Sequence, residues 1–280
     1  MAIEKVVLIT GCAEGGIGAC YSRVFHSRGF KVYATDVQPV ESMQSLRALG
    51  IQTLQLDVTS DESVRAAVDL ILRNEGRIDV LVNNAGLSTI GPLAELPLKN
   101  IERAFQVNVF GTLRMIQAVV PSMAEQRQGR IINVGSVVGY VPTPWAGSYC
   151  ASKASVHALS DVLRVELAPL GIQVVLIVPG SVKSQLGATA SSSLRSSEWK
   201  LYRDFSSAIA ERATSSQSGK ATATEEFAVR AVGAMLEKNP PRHFVYGFMS
   251  GLFLVLRWSP LWLRDLFMRW RFGLLEKKKH

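Results

Sequence analysis

The sequence predicts an α/β fold, a single doubly wound parallel sheet with helices on both faces. Three observations carry that expectation. Apolar runs of strand length alternate with amphipathic helical stretches as far as Pro179, the pattern of a sheet covered on both sides. A glycine cluster follows directly on the first such run. No repeat or linker divides the 280 residues, and 48% hydrophobic with 19% charged content suits one large domain with a substantial core.

Lys5–Thr10 reads as the first strand, and Gly11-Cys-Ala-Glu-Gly15-Gly16-Ile17-Gly18 turns from it into a helix from about Ala19 to Arg28. Strand, glycine turn and helix form the first half of a dinucleotide-binding unit. The glycines admit a pyrophosphate close to the backbone, and the helix N-terminus supplies amide donors and positive potential. The second strand, Lys31–Thr35, ends at Asp36. An acid there accepts both ribose hydroxyls of NAD and repels the extra phosphate of NADP; a plain turn residue is the alternative.

Thr53–Val58 reads as the third strand, closing at Asp57, and Asp61–Leu72 as an amphipathic helix. Ile78–Val82 is the fourth strand, followed by Asn83-Asn84-Ala85-Gly86, which suits a tight turn or a cofactor contact. A long helix is expected over Ile101–Val120. Asn108 in its middle is a poor helix former and stands either as a buried polar group or as an ordinary surface residue. Gln173–Val178 is the last strand before Pro179-Gly180.

The stretch Arg130–Lys153 carries the chemistry. Ile131, Ile132 and Val134 form a buried strand between Gly129 and Gly135, and Ser136 stands at its end. After a loop with Pro142 and Pro144, Tyr149 and Lys153 stand four apart on one helix face. A phenol is a poor acid or base at neutral pH, and a neighbouring ammonium favours its ionised form. Ser136 is then placed to hydrogen-bond a reacting oxygen, so the trio suits proton transfer coupled to hydride transfer. Taken alone, a Tyr–Lys pair at this spacing usually describes a solvated helix face; the rest of the chain reverses that reading.

Together the motifs TGCAEGGIG, LDV, NNAG, VNVFG, Ser136 in GS, YCASK and PGSVKS resemble the short-chain dehydrogenase/reductase family from Val6 to about Ser184. The resemblance implies a Rossmann-type fold with Tyr149 as acid/base and Lys153 binding ribose and lowering the tyrosine pKa. It implies Ser136 orienting the substrate oxygen and Asn108 holding a water in a proton relay. Gly11, Gly16, Ile17 and Gly18 would take the pyrophosphate, with Asp57 and Val58 at the adenine. Asn84, Ala85 and Gly86 would line the cofactor cleft, and Pro179, Gly180, Val182 and Ser184 would run along the nicotinamide, Val182 meeting its carboxamide. Two departures stand out. One residue is inserted in the glycine motif, with Gly15 extra, and Glu14 and Asp36 replace the Arg or Lys that NADP-using relatives commonly carry. Beyond Pro240, PPRHFVYG and RFGL resemble the acyl-dihydroxyacetone-phosphate reductase-like and 17β-hydroxysteroid dehydrogenase-like branches.

A serine- and alanine-rich stretch, residues 188–197, precedes Trp199, Tyr202 and Phe205. Residues 185–225 are the natural place for a substrate lid, and the three aromatics serve either as core or as ligand contacts. Residues 244–280 read as a separate tail after a domain of residues 1–243. Phe244–Leu256 carries no charge but is too short to span a bilayer. After Ser259-Pro260, an expected N-cap and first helical position, Trp262, Leu263, Leu266, Phe267, Trp270 and Leu274 fall on one helical arc. Arg257, Arg264, Asp265, Arg269 and Arg271 fall on the other. That describes an amphipathic membrane-associating segment, with a core helix or a dimer surface as the alternative.

Of the net charge of +8, residues 257–280 hold seven Lys or Arg against two acids, +5, leaving +3 for the rest. A basic tail on a near-neutral domain points to an anionic membrane surface and away from nucleic acid. Three cysteines without metal spacing and four scattered histidines suggest a reducing compartment and no metal site. A strand begins almost at once after Met1, leaving no room for a signal peptide. Lys277-Lys278-Lys279-His280 resembles a dilysine retrieval signal, so the cytosolic face of the endoplasmic reticulum or a lipid droplet is the expected location. The expectation is an NAD(P)-dependent oxidoreductase that interconverts a secondary alcohol and a ketone on a lipophilic steroid, retinoid or acyl lipid. Asp36 favours NAD; the family resemblance suggests a homodimer. The alternatives are an NADPH-dependent acyl-dihydroxyacetone-phosphate reductase and a non-catalytic lipid-surface protein of the same fold.

Overall fold

A computed structural model describes residues 4–185, 199–215 and 219–275. The serine-rich residues 188–197 and the terminal 277–280 therefore lie outside the described residues.

Seven parallel strands form one sheet in the order β3-β2-β1-β4-β5-β6-β7. They are β1 (Val6–Thr10), β2 (Lys31–Asp36), β3 (Gln52–Gln55), β4 (Val80–Asn83), β5 (Gly129–Val134), β6 (Ile172–Pro179) and β7 (His243–Tyr246). The chain builds outward from β1 to β3, crosses back, and builds the other way from β4 to β7. The β1–β4 boundary is therefore a topological switch point, and a ligand crevice opens at the carboxyl ends of such strands.

Successive residues of β1 point to opposite faces and so feed two cores. Val7 and Ile9 pack with Phe25 of α1 (Ile17–Ser27) on one face. Val6 and Leu8 pack on the other with Ile71 of α3 (Asp61–Glu75) and Met115 of α5 (Thr112–Glu125). The short α2 spans Gln44–Ala48. Ser60 starts α3 by accepting the Ser63 N–H at 3.2 Å. The helix outlasts its expected end at Leu72 because no breaker intervenes before Gly76, whose φ of 71° closes it.

Two parts of the carboxyl-terminal third differ from expectation. The run from Phe244, expected to open the tail, completes β7, which pairs with β6 from Leu176↔His243 to Pro179↔Tyr246. Its apolar residues serve an edge strand, with Phe244 and Tyr246 against the sheet core. Ser259 ends one helix rather than starting the next: its Oγ donates to Leu256 O at 2.8 Å. The other α-helices among the described residues are α4 (Leu98–Phe105), α6 (Gly147–Glu166), α7 (Ser206–Thr214), α8 (Thr224–Met235), α9 (Ser250–Trp258) and α10 (Leu261–Arg271). Phe253 of α9 and Met268 of α10 are buried in a third cluster with Val138, Trp145 and Trp199, so the tail packs onto the body. No described helix is long and apolar enough to cross a membrane.

Candidate active site

β5 delivers the chain to Ser136, which caps a short turn by accepting the Val138 N–H at 3.4 Å. Its own N–H donates to His157 Nε2 at 3.3 Å, fixing the backbone from behind. Four residues apart on α6, Tyr149 and Lys153 face the same way, with Lys153 Nζ 5.7 Å from the Tyr149 ring centre. The Ser136 hydroxyl lies near enough to the phenol to favour its ionised form. Lys153 is buried and donates to Val134 O at 2.7 Å.

The electrostatics differ from expectation. Burial pushes the Tyr149 phenol up to about 12, and the largest opposing influence is the charge of Arg212, not that of Lys153. Burial also pulls the Lys153 ammonium down to about 8. For Tyr149 desolvation outweighs the neighbouring charges, and for Lys153 desolvation is the cause of the shift.

Asn108 lies in a π-helical segment, Gln106–Gly111, between α4 and α5. The wider turn carries the side chain inward. Its Oδ1 accepts the Leu87 N–H at 2.7 Å, and its Nδ2 donates to Leu87 O at 2.9 Å and Ser152 Oγ at 2.8 Å. The amide thus ties the loop after β4 to the helix bearing Lys153. That settles its reading as a buried polar group, and its backbone carbonyl accepts Thr112 Oγ1 at 2.8 Å. A π segment of this kind often marks a functional site.

On the opposite side the glycine turn is held tightly. Asn84 Nδ2 donates to Thr10 O and Gly11 O, both at 2.9 Å. A Cβ on Gly11 would lie 2.8 Å from Ala85 Cα, and one on Gly18 would lie 2.3 Å from Gly11 O, so neither position admits a side chain. Asp36 accepts the Ala13 N–H at 2.8 Å and the Gln38 N–H at 3.0 Å, which sets its carboxylate beside the turn. Glu14 is less exposed electrostatically than its sequence context implies: Arg23 Nη2 pairs with it at 3.1 Å. Hydrogen bonding from Ser45, ahead of that of Arg23, holds its carboxyl below the usual range.

One cleft of about 1550 Å³ joins these parts. Gly11, Gly16, Ile17, Asp36, Asn84, Ala85 and Gly86 line one end, and Pro179, Gly180, Val182 and Ser184 line the middle, with Ser136, Tyr149 and Lys153 between them. Gly18 lies beneath the turn. Asp57 and Val58 are not on the wall: the Asp57 carboxylate accepts Thr59 N–H and Oγ1, and Val58 packs against Gly111. Asn108 also stands behind the lining. A dinucleotide fits the glycine-lined end of the cleft, where the missing Cβ atoms let the turn pack tightly on itself, and Asp36 suits a diol.

The far end of the cleft was not legible in the sequence. Phe253, Phe267, Met268, Trp270 and Phe272 from the tail form its apolar walls, and Arg212 of α7 projects there. Trp199, Tyr202 and Phe205 are core instead; Tyr202 and Phe205 pack on Trp145 at 5.5 and 5.8 Å. Only the tail's hydrophobicity hinted at the walls, and nothing in ERAT marks its arginine.

Comparison with known proteins places this arrangement. A family profile described as short chain dehydrogenase matches residues 5–195. A short-chain dehydrogenase of Penicillium ochrochloron is 37% identical over 94% of this chain and 96% of its own length. An NADPH-dependent 1-acyldihydroxyacetone phosphate reductase of Schizosaccharomyces pombe is 42% identical over 66% of this chain and 62% of its own. Among solved structures, a short-chain dehydrogenase from Streptomyces avermitilis superposes with a TM-score of 0.80 at 26% identity, covering 95% of this chain and 96% of that one. A Burkholderia phymatum family member in complex with NAD has a TM-score of 0.74 at 27% identity, over 86% and 88%.

Proposed function

The chain belongs to the short-chain dehydrogenase family, an NAD(P)-using oxidoreductase family, and from that premise we propose that it interconverts a secondary alcohol and a ketone on a lipophilic substrate. Supporting this is the meeting of Ser136, Tyr149 and Lys153 at the junction of a glycine-lined cleft end and an apolar one. The nicotinamide cofactor, when bound, supplies or takes the hydride. The glycine turn with Asp36 would hold its adenosine half, and Lys153 its nearer ribose.

In the reducing direction Tyr149 donates its proton to the carbonyl oxygen as that oxygen gains charge, and Ser136 holds the oxygen against the phenol. A phenol pushed up to about 12 is fully protonated at neutral pH and stands ready as the acid. Oxidation needs the phenolate, so bound cationic nicotinamide and Lys153 must lower that value for the reverse reaction. Substitution of Tyr149 by Phe tests the assignment. It removes only the hydroxyl, so ketone reduction followed at the nicotinamide absorbance should fall by ~10³-fold or more while dinucleotide affinity changes little. Turnover near the wild-type level would sink the mechanism.

Two finer readings belong with it. Asp36, with Glu14 neutralised by Arg23, favours NAD(H); the 42% identity to an NADPH-dependent acyl-dihydroxyacetone-phosphate reductase supports the opposite choice. The tail is read as resting on an anionic membrane surface, at the endoplasmic reticulum or a lipid droplet. Its two helices support this by turning apolar side chains outward: Val255, Trp258, Leu261 and Trp262 are 69%, 82%, 66% and 67% exposed. Meanwhile Met268 faces the body, and Arg271 pairs with Glu211 at 3.0 Å. The apolar outer face of this amphipathic helix has no partner among the described residues.

A further inference from the structure

We propose that Arg212 recognises an anionic group, carboxylate or phosphate, carried by the ketone close to the carbonyl that Tyr149 serves. The inference rests on the oxidoreductase reading and narrows its substrate class to amphiphilic anions.

Two arginines line the cleft, and they are held differently. Arg271 is neutralised by Glu211 at 3.0 Å. Arg212 meets only neutral oxygens among the described residues: Nε and Nη2 each lie 3.3 Å from Thr143 Oγ1, and Nη1 lies 3.0 Å from Ser215 Oγ. A guanidinium has five N–H donors, so these contacts leave two for a ligand. Withdrawing a guanidinium from water without a counter-ion is unfavourable, and a ligand that supplies the missing charge recovers that loss. The planar fork suits the paired oxygens of a carboxylate or phosphate.

Position decides which ligand. α7 lays Arg212 on the substrate side, beside the loop from Pro142 to Trp145 that leads into Tyr149, and away from Asp36 and the glycine turn. Its charge reaches the Tyr149 phenol. Phe253, Phe267, Met268 and Phe272 line the same end. An apolar chain among these side chains, with its anion on Arg212 and its carbonyl at Tyr149, matches the apolar walls, the cation and the acid that meet there.

The test compares matched ketone pairs: a medium-chain β-keto acid with its methyl ester, and a long-chain acyl ketone phosphomonoester with its dephosphorylated alcohol. Wild-type enzyme should favour one anionic member over its neutral partner by ~30-fold or more in kcat/KM, and the pair with the larger ratio identifies the anion. In Arg212→Gln that ratio should collapse towards unity, and Arg212→Lys should restore part of it, more for phosphate than for carboxylate because a point charge lacks the fork. Isothermal titration of the corresponding hydroxy acid without oxidised cofactor, where it cannot turn over, should show the same loss of affinity. Equal losses on charged and neutral members would overturn the proposal and leave Arg212 as a brace for Thr143. Neutral-ketone turnover that depends on Tyr149 but shows no preference for charge would refute Arg212 alone; turnover that survives Tyr149→Phe would refute the parent reading instead.

Discussion

Asp36 is the residue on which cofactor choice turns. Both its oxygens already accept backbone N–H groups, so the carboxylate is locked in place at the end of β2 and cannot swing from an incoming phosphate. With Glu14 paired to Arg23, the repulsion comes from this one charge. It should cost an adenosine 2′-phosphate about 1.4 kcal/mol, a preference for NAD(H) of about tenfold in kcat/KM. Exposed Val37 stands next to it, and the double change Asp36→Ala with Val37→Arg should invert the preference by offering a guanidinium to the phosphate. Kinetics with both cofactors on one substrate decide the matter, and a wild-type preference for NADPH would defeat the argument. At this scale the sequence was informative where spacing alone places a group, as with Tyr149 and Lys153 on one helix face. It was silent on Arg212, which depends on how α7 meets the loop at Thr143, and on the Glu14–Arg23 pair, which depends on how the glycine turn folds back on α1.

Between α4 and α5, the π segment shows what an element contributes beyond its period. A long helix with an awkward Asn108 was legible from the sequence; the extra backbone residue that turns the amide inward was not, because hydrophobic periodicity does not register a single widened turn. Replacing Asn108 with Ala leaves the Leu87 N–H without its acceptor and removes the tie to Ser152. The expected cost is about 2–4 kcal/mol in urea unfolding, accompanied by weaker turnover as the α6 segment bearing Lys153 loosens. Stability within about 0.5 kcal/mol of wild type would mean that water replaces the amide, and the tie would then be incidental. β7 teaches a similar lesson. Phe244–Tyr246 is apolar whether it enters lipid or a sheet edge, and only pairing with β6 distinguishes the two.

For the whole molecule, the tail joins two surfaces: its inner side closes the substrate end of the cleft, and its outer side is apolar. The amphipathic helix was legible in the sequence, but not its orientation, because periodicity defines two arcs without saying which faces the body. Arg264 and Arg271 turn out to be half-buried against the body, while Arg269 is exposed. Charge reversal aimed at membrane binding therefore belongs at Arg269, since the other two would disturb packing. Trp258, Trp262 and Leu266 are exposed and line no part of the cleft, so Trp258→Ser, Trp262→Ser and Leu266→Ser together should leave the melting temperature within about 2 °C of wild type. Partition onto anionic phospholipid vesicles should weaken by at least ~tenfold, since two indoles and a leucine lose their apolar burial, and Arg269→Glu should weaken it further at low salt. Substrates delivered from such vesicles should show a raised KM in the triple variant, whereas water-soluble ketones should not, because the cleft itself is untouched. Wild-type protein that sediments with vesicles no better than the triple variant would remove the lipid surface from the account and leave the outward tryptophans to a protein partner.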